Sequence, residues 1–287
     1  MRFGREAKQH FCFKGYAGMT LKIGTDPEFF LKKDNKFVSA FGIVPGTKAE
    51  PFPVDSGAVQ VDGMALEFNI EPAEDSDKFV TNIHTVLKIL RDMVPEEFDF
   101  AYEAVAKFPA SYLKKQPMMA RMLGCDPDFD AYLDMPNEPP DHQKPMRTAA
   151  GHVHVGWRDE EPINLQHLEE CRLIAKQLDY ILGVPSVVLD PNGERRKMYG
   201  KAGAYRPKPY GVEYRVLSNF WLKTDALMAW VFESTKHGFE LLVEQGINLS
   251  EMYGETAKQI IDGNDQEQAE YFLENDLKQF VNLEGVA

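Results

Sequence analysis

Cysteine is scarce. The chain has 3 in 287 residues, Cys12, Cys125 and Cys171, far apart and without CxxC spacing. So odd and scattered a set offers neither a disulfide framework nor a zinc knuckle, and it fits a reducing cytoplasm. Basic charge is also in deficit: 32 basic against 45 acidic residues leave a formal net charge of −13, which opposes non-specific binding to nucleic acid or anionic membrane. No apolar run approaches bilayer-spanning length. The opening MRFGREAKQHFCFKGYAG puts charges and glycines where a signal peptide needs an apolar core. The expectation is therefore a cytoplasmic protein with no membrane partner. Internal repeats, low-complexity tracts and a Ser-His-Asp or Cys-His nucleophile arrangement are lacking too, which argues against solenoids and covalent hydrolases.

What is present is an ordinary globular composition, 44% hydrophobic and 11% aromatic, enough to bury one large core or two smaller ones. From TLKIGTDPEFFLKK through KFVSAFGIVP to AVQVDGMALEFNIEP, β-branched and aromatic residues alternate between turn residues, the pattern of neighbouring antiparallel strands. DSDKFVTNIHTVLKILRDMV follows with Phe79, Ile83, Val86, Leu87 and Leu90 at helical spacing behind an Asp/Ser start. FDFAYEAVAKF reads as one further strand. Residues 124–147, rich in proline and aspartate and without a period, read as a surface loop and a candidate lid. TAAGHVHVGW is a strand, 165–182 a helix, GVEYR a strand, and the rest is helical. The expected fold class is α+β with a mainly antiparallel sheet, divided into an N-terminal extension over 1–19 and a single domain over 20–287 with a helical C-terminal part.

Four strand segments put charged or metal-capable side chains two apart, which places them on one face of a strand. They are Asp26 and Glu28 in DPEFF; Glu67 and Asn69 in ALEFNIEP; His152 and His154 in GHVHV; and Glu213 and Arg215 in GVEYR. If the strands are neighbours, their shared face is a wall of carboxylates and imidazoles that needs cations or arginines to offset the cost of burial. Ligands rich in oxygen and free of thiolates favour Mg2+ or Mn2+ over zinc. Each pair also has an ordinary reading: a structural or zinc-binding His-x-His, a cross-strand Glu-Arg ion pair, a turn at Asp26-Pro27. Residues 194–210 hold Arg195, Arg196, Lys197, Lys201, Arg206 and Lys208 with Tyr199, Tyr205 and Tyr210. Such a loop can grip phosphate or carboxylate oxygens, balance an acidic surface, or bind nucleic acid, although the overall charge opposes the last.

Taken together, these segments resemble the carboxylate-amine ligases of the glutamine synthetase and glutamate-cysteine ligase superfamily, especially the amidoligases of tailed phages. The resemblance spans roughly residues 20–222, in the family's order. It implies a glutamine synthetase-like domain, a curved antiparallel sheet with helices on its convex side. It also implies an ATP-dependent ligase that uses Mg2+, or Mn2+, and forms an amide through an acyl phosphate. The metal ligands carried over are Asp26, Glu28, Glu67, His152 and Glu213. His154, Arg195, Arg196, Lys201 and Arg206 fall to the nucleotide, and Asn69, Tyr205 and Arg215 to the substrate. Arg206, Arg215 and Glu28 are the residues expected to act in the reaction. Two departures stand out: Asp26 replaces a glutamate, and a single clear acid, Glu67, replaces two. The chain starts almost at the first catalytic strand, so ring assembly through a separate N-terminal domain is not an expectation, and oligomeric state stays open.

The expected partners are small-molecule or peptide carboxylates and amines, with nucleic acid only as a modified substrate, in a host cytoplasm if the protein is phage-borne. Rival readings are a guanidino-kinase-like phosphotransferase of the same fold, a zinc hydrolase built on His152 and His154, and a non-catalytic phage accessory protein.

Overall fold

The structure, a computed structural model, describes residues 20–121, 128–138 and 144–286. The 1–19 extension and parts of the 124–147 segment lie outside the described residues. Strand β1 (Lys22–Thr25) is separated from β2 (Glu28–Lys33) only by Asp26-Pro27, and β3 (Lys36–Val38), β4 (Phe52–Val54), β5 (Gly57–Asp62) and β6 (Ala65–Ile70) follow. Helix α1 (Ser76–Met93) comes next, capped by Asp75, whose side chain accepts from the Lys78 amide. Its Phe79, Ile83, Val86 and Leu90 are all buried, as their spacing dictates. The chain continues through β7 (Asp99–Ala101), β8 (Val105–Lys107), α2 (Ala110–Lys115), α3 (Met118–Arg121), β9 (Phe129–Asp130), β10 (Met135–Pro136), β11 (Met146–Thr148) and β12 (Val153–Gly156). After α4 (Leu165–Leu178), a π-turn at Asp179–Gly183 and α5 (Val184–Leu189) come the hairpin β13 (Ala204–Lys208) and β14 (Gly211–Tyr214). A 3-10 turn at Asn219–Lys223 leads to α6 (Asp225–Val243), α7 (Leu249–Tyr253), α8 (Thr256–Gly263) and α9 (Gln266–Asn275).

The result is a mixed α/β fold with antiparallel sheets. One large sheet runs β1-β12-β14-β13-β9-β10 and a second β3-β2-β6-β5-β4, with β7 also paired to β2, while β11 and β8 form a two-stranded sheet of their own. The strands expected to share one sheet are thus divided between two. The chain changes sheet at Asp26-Pro27, because a proline has no N–H to continue the first ladder. A reciprocal pair of bonds holds the join: the Glu28 amide donates to Ala150 O at 2.8 Å, and the Ala150 amide donates to the Glu28 carboxylate at 3.0 Å. Helix α4 packs on β13 and β14, and α1 on β5 and β6, while α6 packs against both helices. Val153, Val155, Val212 and Tyr214 fill the helix-covered side of the first sheet, which leaves His154 and Glu213 on the other by simple alternation.

Three expectations are corrected. FDFAYEAVAKF is two strands, β7 on β2 and β8 on β11, since each half finds a different distant partner. The helix expected over 165–182 gives way to a π-turn after Leu178. The described parts of 124–147 are not a bare loop: β9 extends the first sheet beside β13, and β11 pairs β8. No helix among the described residues is long and apolar enough to cross a membrane.

Candidate active site

Two cross-strand rows build the site. In the first sheet, His154 on β12 and Arg206 on β13 both stand opposite Glu213 on β14. In the second, Glu28 on β2 and Gln60 on β5 both stand opposite Glu67 on β6. Asp26, at the join, faces the first row: its Oδ1 lies 3.2 Å from His152 Nδ1 and 3.1 Å from His154 Nε2. His152 Nδ1 is also 3.4 Å from Glu213 Oε1. The Tyr210 hydroxyl lies 2.6 Å from His154 Nδ1, orienting that ring so that Nε2 meets the acid.

The fully buried Glu213 carboxylate is surrounded by cations: Lys208 Nζ at 2.8 Å, Arg206 Nη1 at 3.2 Å, and Arg215. Arg215 in turn reaches Tyr199 OH and Asp128, with Nε 3.3 Å from the Asp128 carboxylate. Glu213 and Arg215 therefore share a face, as their spacing requires.

Electrostatics separate the acids into two kinds. Burial would raise the Asp26 pKa, but the imidazoles of His154 and His152 outweigh it and hold that carboxyl well below the usual range. Burial and the neighbouring Asp62 push Glu28 up to about 7. Burial, Asp26, Asp62 and Glu28 push Glu67 well above the usual carboxylate range. Burial and Arg215 hold His152 down to about 4. At Lys48, burial alone would lower the pKa, but Asp62, Glu67 and Glu28 raise it.

Ligand atoms of Asp26, His154 and Glu213 lie within 4.8 Å of one another, and so do those of Glu28, Asp62 and Glu67. Buried Glu67 Oε2 and His152 Nε2 have no hydrogen-bond partner among the described residues, which fits metal ligation. The all-carboxylate trio suits a hard, oxygen-seeking ion. The trio that includes His154 differs from the expected one, where His152 was the ligand; both rings abut the same acids.

Two adjoining cavities open on these rows. An inner one of about 80 Å³ is lined by Glu28, Asp62, Arg147, Tyr199 and Arg215. An outer one of about 790 Å³ is lined by Asn69, Pro72, His154, Lys208 and Tyr210. Asp26, Lys48, Glu67 and Arg206 line both.

Several expected residues lie elsewhere. Arg195 is buried and donates to Val216 O at 2.6 Å and Arg215 O at 3.2 Å. Arg196 is buried and bonds Asp190 O, Ser186 and Asn264. Arg195 thus serves backbone carbonyls and Arg196 both backbone and side-chain oxygens, and neither lines the two cavities. Tyr205 stands opposite Tyr214 in register and belongs to the core on the helix side; the same two-residue alternation that brings Arg206 into the site turns Tyr205 away. Lys201 is exposed and lines neither cavity.

Sequence reasoning missed Asp62, Lys48, Arg147 and Asp128. Only Asp62 left a signal, since Gln60 and Asp62 share one face of β5. Arg147 is 3% exposed. Its Nη1 donates to Lys144 O and Met146 O and its Nη2 to Arg121 O, while Nε has no partner among the described residues. Arg147 thus lines the inner cavity with one buried N–H, at Nε, left without a partner among the described residues.

Strands, carboxylates and guanidinium groups of this kind define a mixed α/β protein with a cleft where acidic and basic side chains meet. Residues 146–248 match the model of the family described as "Phage phiEco32-like COOH.NH2 ligase-type 2". The match covers 103 of the chain's 287 residues and is a likeness to that family over this stretch, from β11 through α6. No curated protein matches the chain. Among solved structures, the chain is similar to a bifunctional glutathione synthetase from Pasteurella multocida, at 12% identity and a TM-score of 0.39, over 95% of this chain and 49% of that one. The chain thus spans about half the length of that relative.

Proposed function

We propose that the protein is an ATP-dependent ligase that joins a carboxylate to an amine through an acyl phosphate, on a single catalytic unit of glutamine synthetase-like arrangement working in the cytoplasm. The observation that carries this reading is the pair of ligand trios set side by side where two cavities meet, with Arg206 and Lys48 lining both. Asp26, His154 and Glu213, with His152 alongside, would hold one divalent ion, and Glu28, Asp62 and Glu67 another. Bound Mg2+ or Mn2+ would supply charge neutralisation of phosphate oxygens.

The chain's own groups do the rest. Lys208, Tyr210 and Asn69 line the larger cavity, which has room for a nucleotide. Arg215, fixed by Tyr199 and Asp128, orients the acceptor carboxylate in the smaller one, and the Arg147 Nε–H meets an anionic group of the same acid. Arg206, between them, stabilises charge on the phosphoryl group in flight, a role for which one arginine is worth about 10³-fold or more. In the first step the bond between the γ-phosphorus and ADP breaks as one to a carboxylate oxygen forms, and ADP leaves with the electron pair. In the second the amine nitrogen attacks the acyl carbon, phosphate leaves with the pair and the carboxylate oxygen, and the surplus amine proton passes to solvent.

The test is Mg2+-dependent ADP release across paired acid and amine pools, with mass spectrometry for a product lighter than its summed reactants by one water. ADP release that needs no amine would replace the ligase with a phosphotransferase. Retention of full ATP-dependent activity by Glu213→Gln would remove the site assignment.

A further inference from the structure

Lys48 belongs to no motif and stands at the tip of a tight turn. The Thr47 amide donates to Glu50 O at 3.0 Å, and the Glu50 amide donates back to Thr47 O at 3.1 Å. The turn is clamped onto β5, because Thr47 bridges Val61. Gly46 precedes it at φ +90°, where a Cβ would collide with Val59 O, so only glycine fits. This places the Lys48 ammonium 3.4 Å from Asp62 Oδ2, inside the all-carboxylate trio's field.

Lys48 and Arg206 are the cations that line both cavities, and the boundary between those cavities is where a phosphoryl group has to cross. Arg206 is tied to Glu213 in the first sheet; Lys48 approaches from the second. A flexible four-carbon stem lets an ammonium shift by several ångströms at small cost, which a strand-bound carboxylate cannot do.

We propose that Lys48 has two successive partners. In the metal-free protein its ammonium acts as the all-carboxylate trio's counter-cation, paired with Asp62. When a divalent ion takes that trio, like-charge repulsion moves the ammonium off Asp62 and onto the oxygens of the phosphoryl group passing between the cavities, making it a catalytic residue. The second half of this inference rests on the ligase reading; the first does not.

The two halves predict effects of opposite sign for one substitution. Calorimetric titration of nucleotide-free protein with Mn2+ should show Lys48→Met binding the ion tighter than wild type, by about ten- to thirtyfold, the scale of one unit charge acting on a divalent ion about 4–6 Å away at a water-like dielectric. The same variant should lose about 10²-fold or more in the rate of ADP release at saturating metal. Lys48→Arg should keep wild-type Mn2+ affinity and recover part of the rate. Circular dichroism melts confirm that the variants fold, as an exposed turn position allows. Unchanged or weaker Mn2+ binding by Lys48→Met overturns the competition between lysine and metal, and an unchanged rate overturns the catalytic role. If wild type releases no ADP with any substrate pair, the ligase reading and Lys48's catalytic half fall with it, and the Mn2+ comparison still decides whether Lys48 occupies the trio.

Discussion

Glu213 is the residue on which most of the site's charge balances. It is fully buried and compensates Arg206, Lys208 and Arg215 at once. Removing its carboxylate leaves three crowded cations, Arg215 among them buried, so Glu213→Ala should lose ~3 kcal/mol of stability in urea unfolding. Glu28 makes the opposite case. Its pKa rises from 4.5 to about 7, so across that window the folded, metal-free chain binds a proton that the unfolded chain has released. The unfolded state binds fewer protons, and stability therefore falls as pH rises from about 4.5 to 7. Other groups, among them His152, contribute slopes of the other sign, so the informative quantity is a difference. Glu28→Gln measured against wild type in EDTA should be nearly neutral in thermal midpoint at low pH and relatively more stable by neutral pH. A difference that does not change with pH would show that Glu28 titrates normally.

At the scale of the element, Arg195, in the turn before β13, and Arg206, on β13, do different work. Arg195 ties down the carbonyls just beyond β14, at Arg215 and Val216, and so fixes the strand that carries Glu213 and Arg215. Arg195→Met should cost ~2–3 kcal/mol, as buried acceptors lose a charged donor, while leaving the KM for nucleotide nearly unchanged. Arg206→Met should show the reverse: little change in melting and a rate lower by about 10³-fold. The 128–138 segment is anchored in the same way. Tyr132 OH donates to the buried Asp179 carboxylate at 2.9 Å, and Tyr214 OH donates to it at 2.7 Å, so a stretch that reads as a lid is stapled to the π-turn after α4. Tyr132→Phe should then destabilise by ~1–2 kcal/mol, measured by chemical unfolding.

Across the whole molecule, the two large sheets meet at Asp26-Pro27 and carry one ligand trio each. A divalent ion that binds only the folded arrangement stabilises it by mass action, by ~2.7 kcal/mol at a hundredfold excess over its Kd. Mn2+ should therefore raise the thermal midpoint of EDTA-stripped protein, and Glu67→Gln should reduce that gain. A midpoint insensitive to Mn2+ and Mg2+ would mean that the trios do not form a metal site in solution.

What the sequence determined by itself is the set of facts that local geometry dictates. Alternation along a strand puts Glu213 with Arg215 and Glu67 with Asn69, and helical spacing buries Phe79 through Leu90; both follow from backbone periodicity alone. The short, self-contained segments GHVHV and GVEYR lie within the residues matched to the family, whereas DPEFF lies outside them. Tertiary structure alone decided which strands meet, and so divided the expected wall between two sheets, set Asp62 beside Glu28 and Glu67, brought Lys48 to the meeting point of the cavities and turned Arg195, Arg196 and Tyr205 inward. Strand register and burial depend on partners a hundred or more residues away, such as Glu28 with Ala150. No window along the chain encodes those distances.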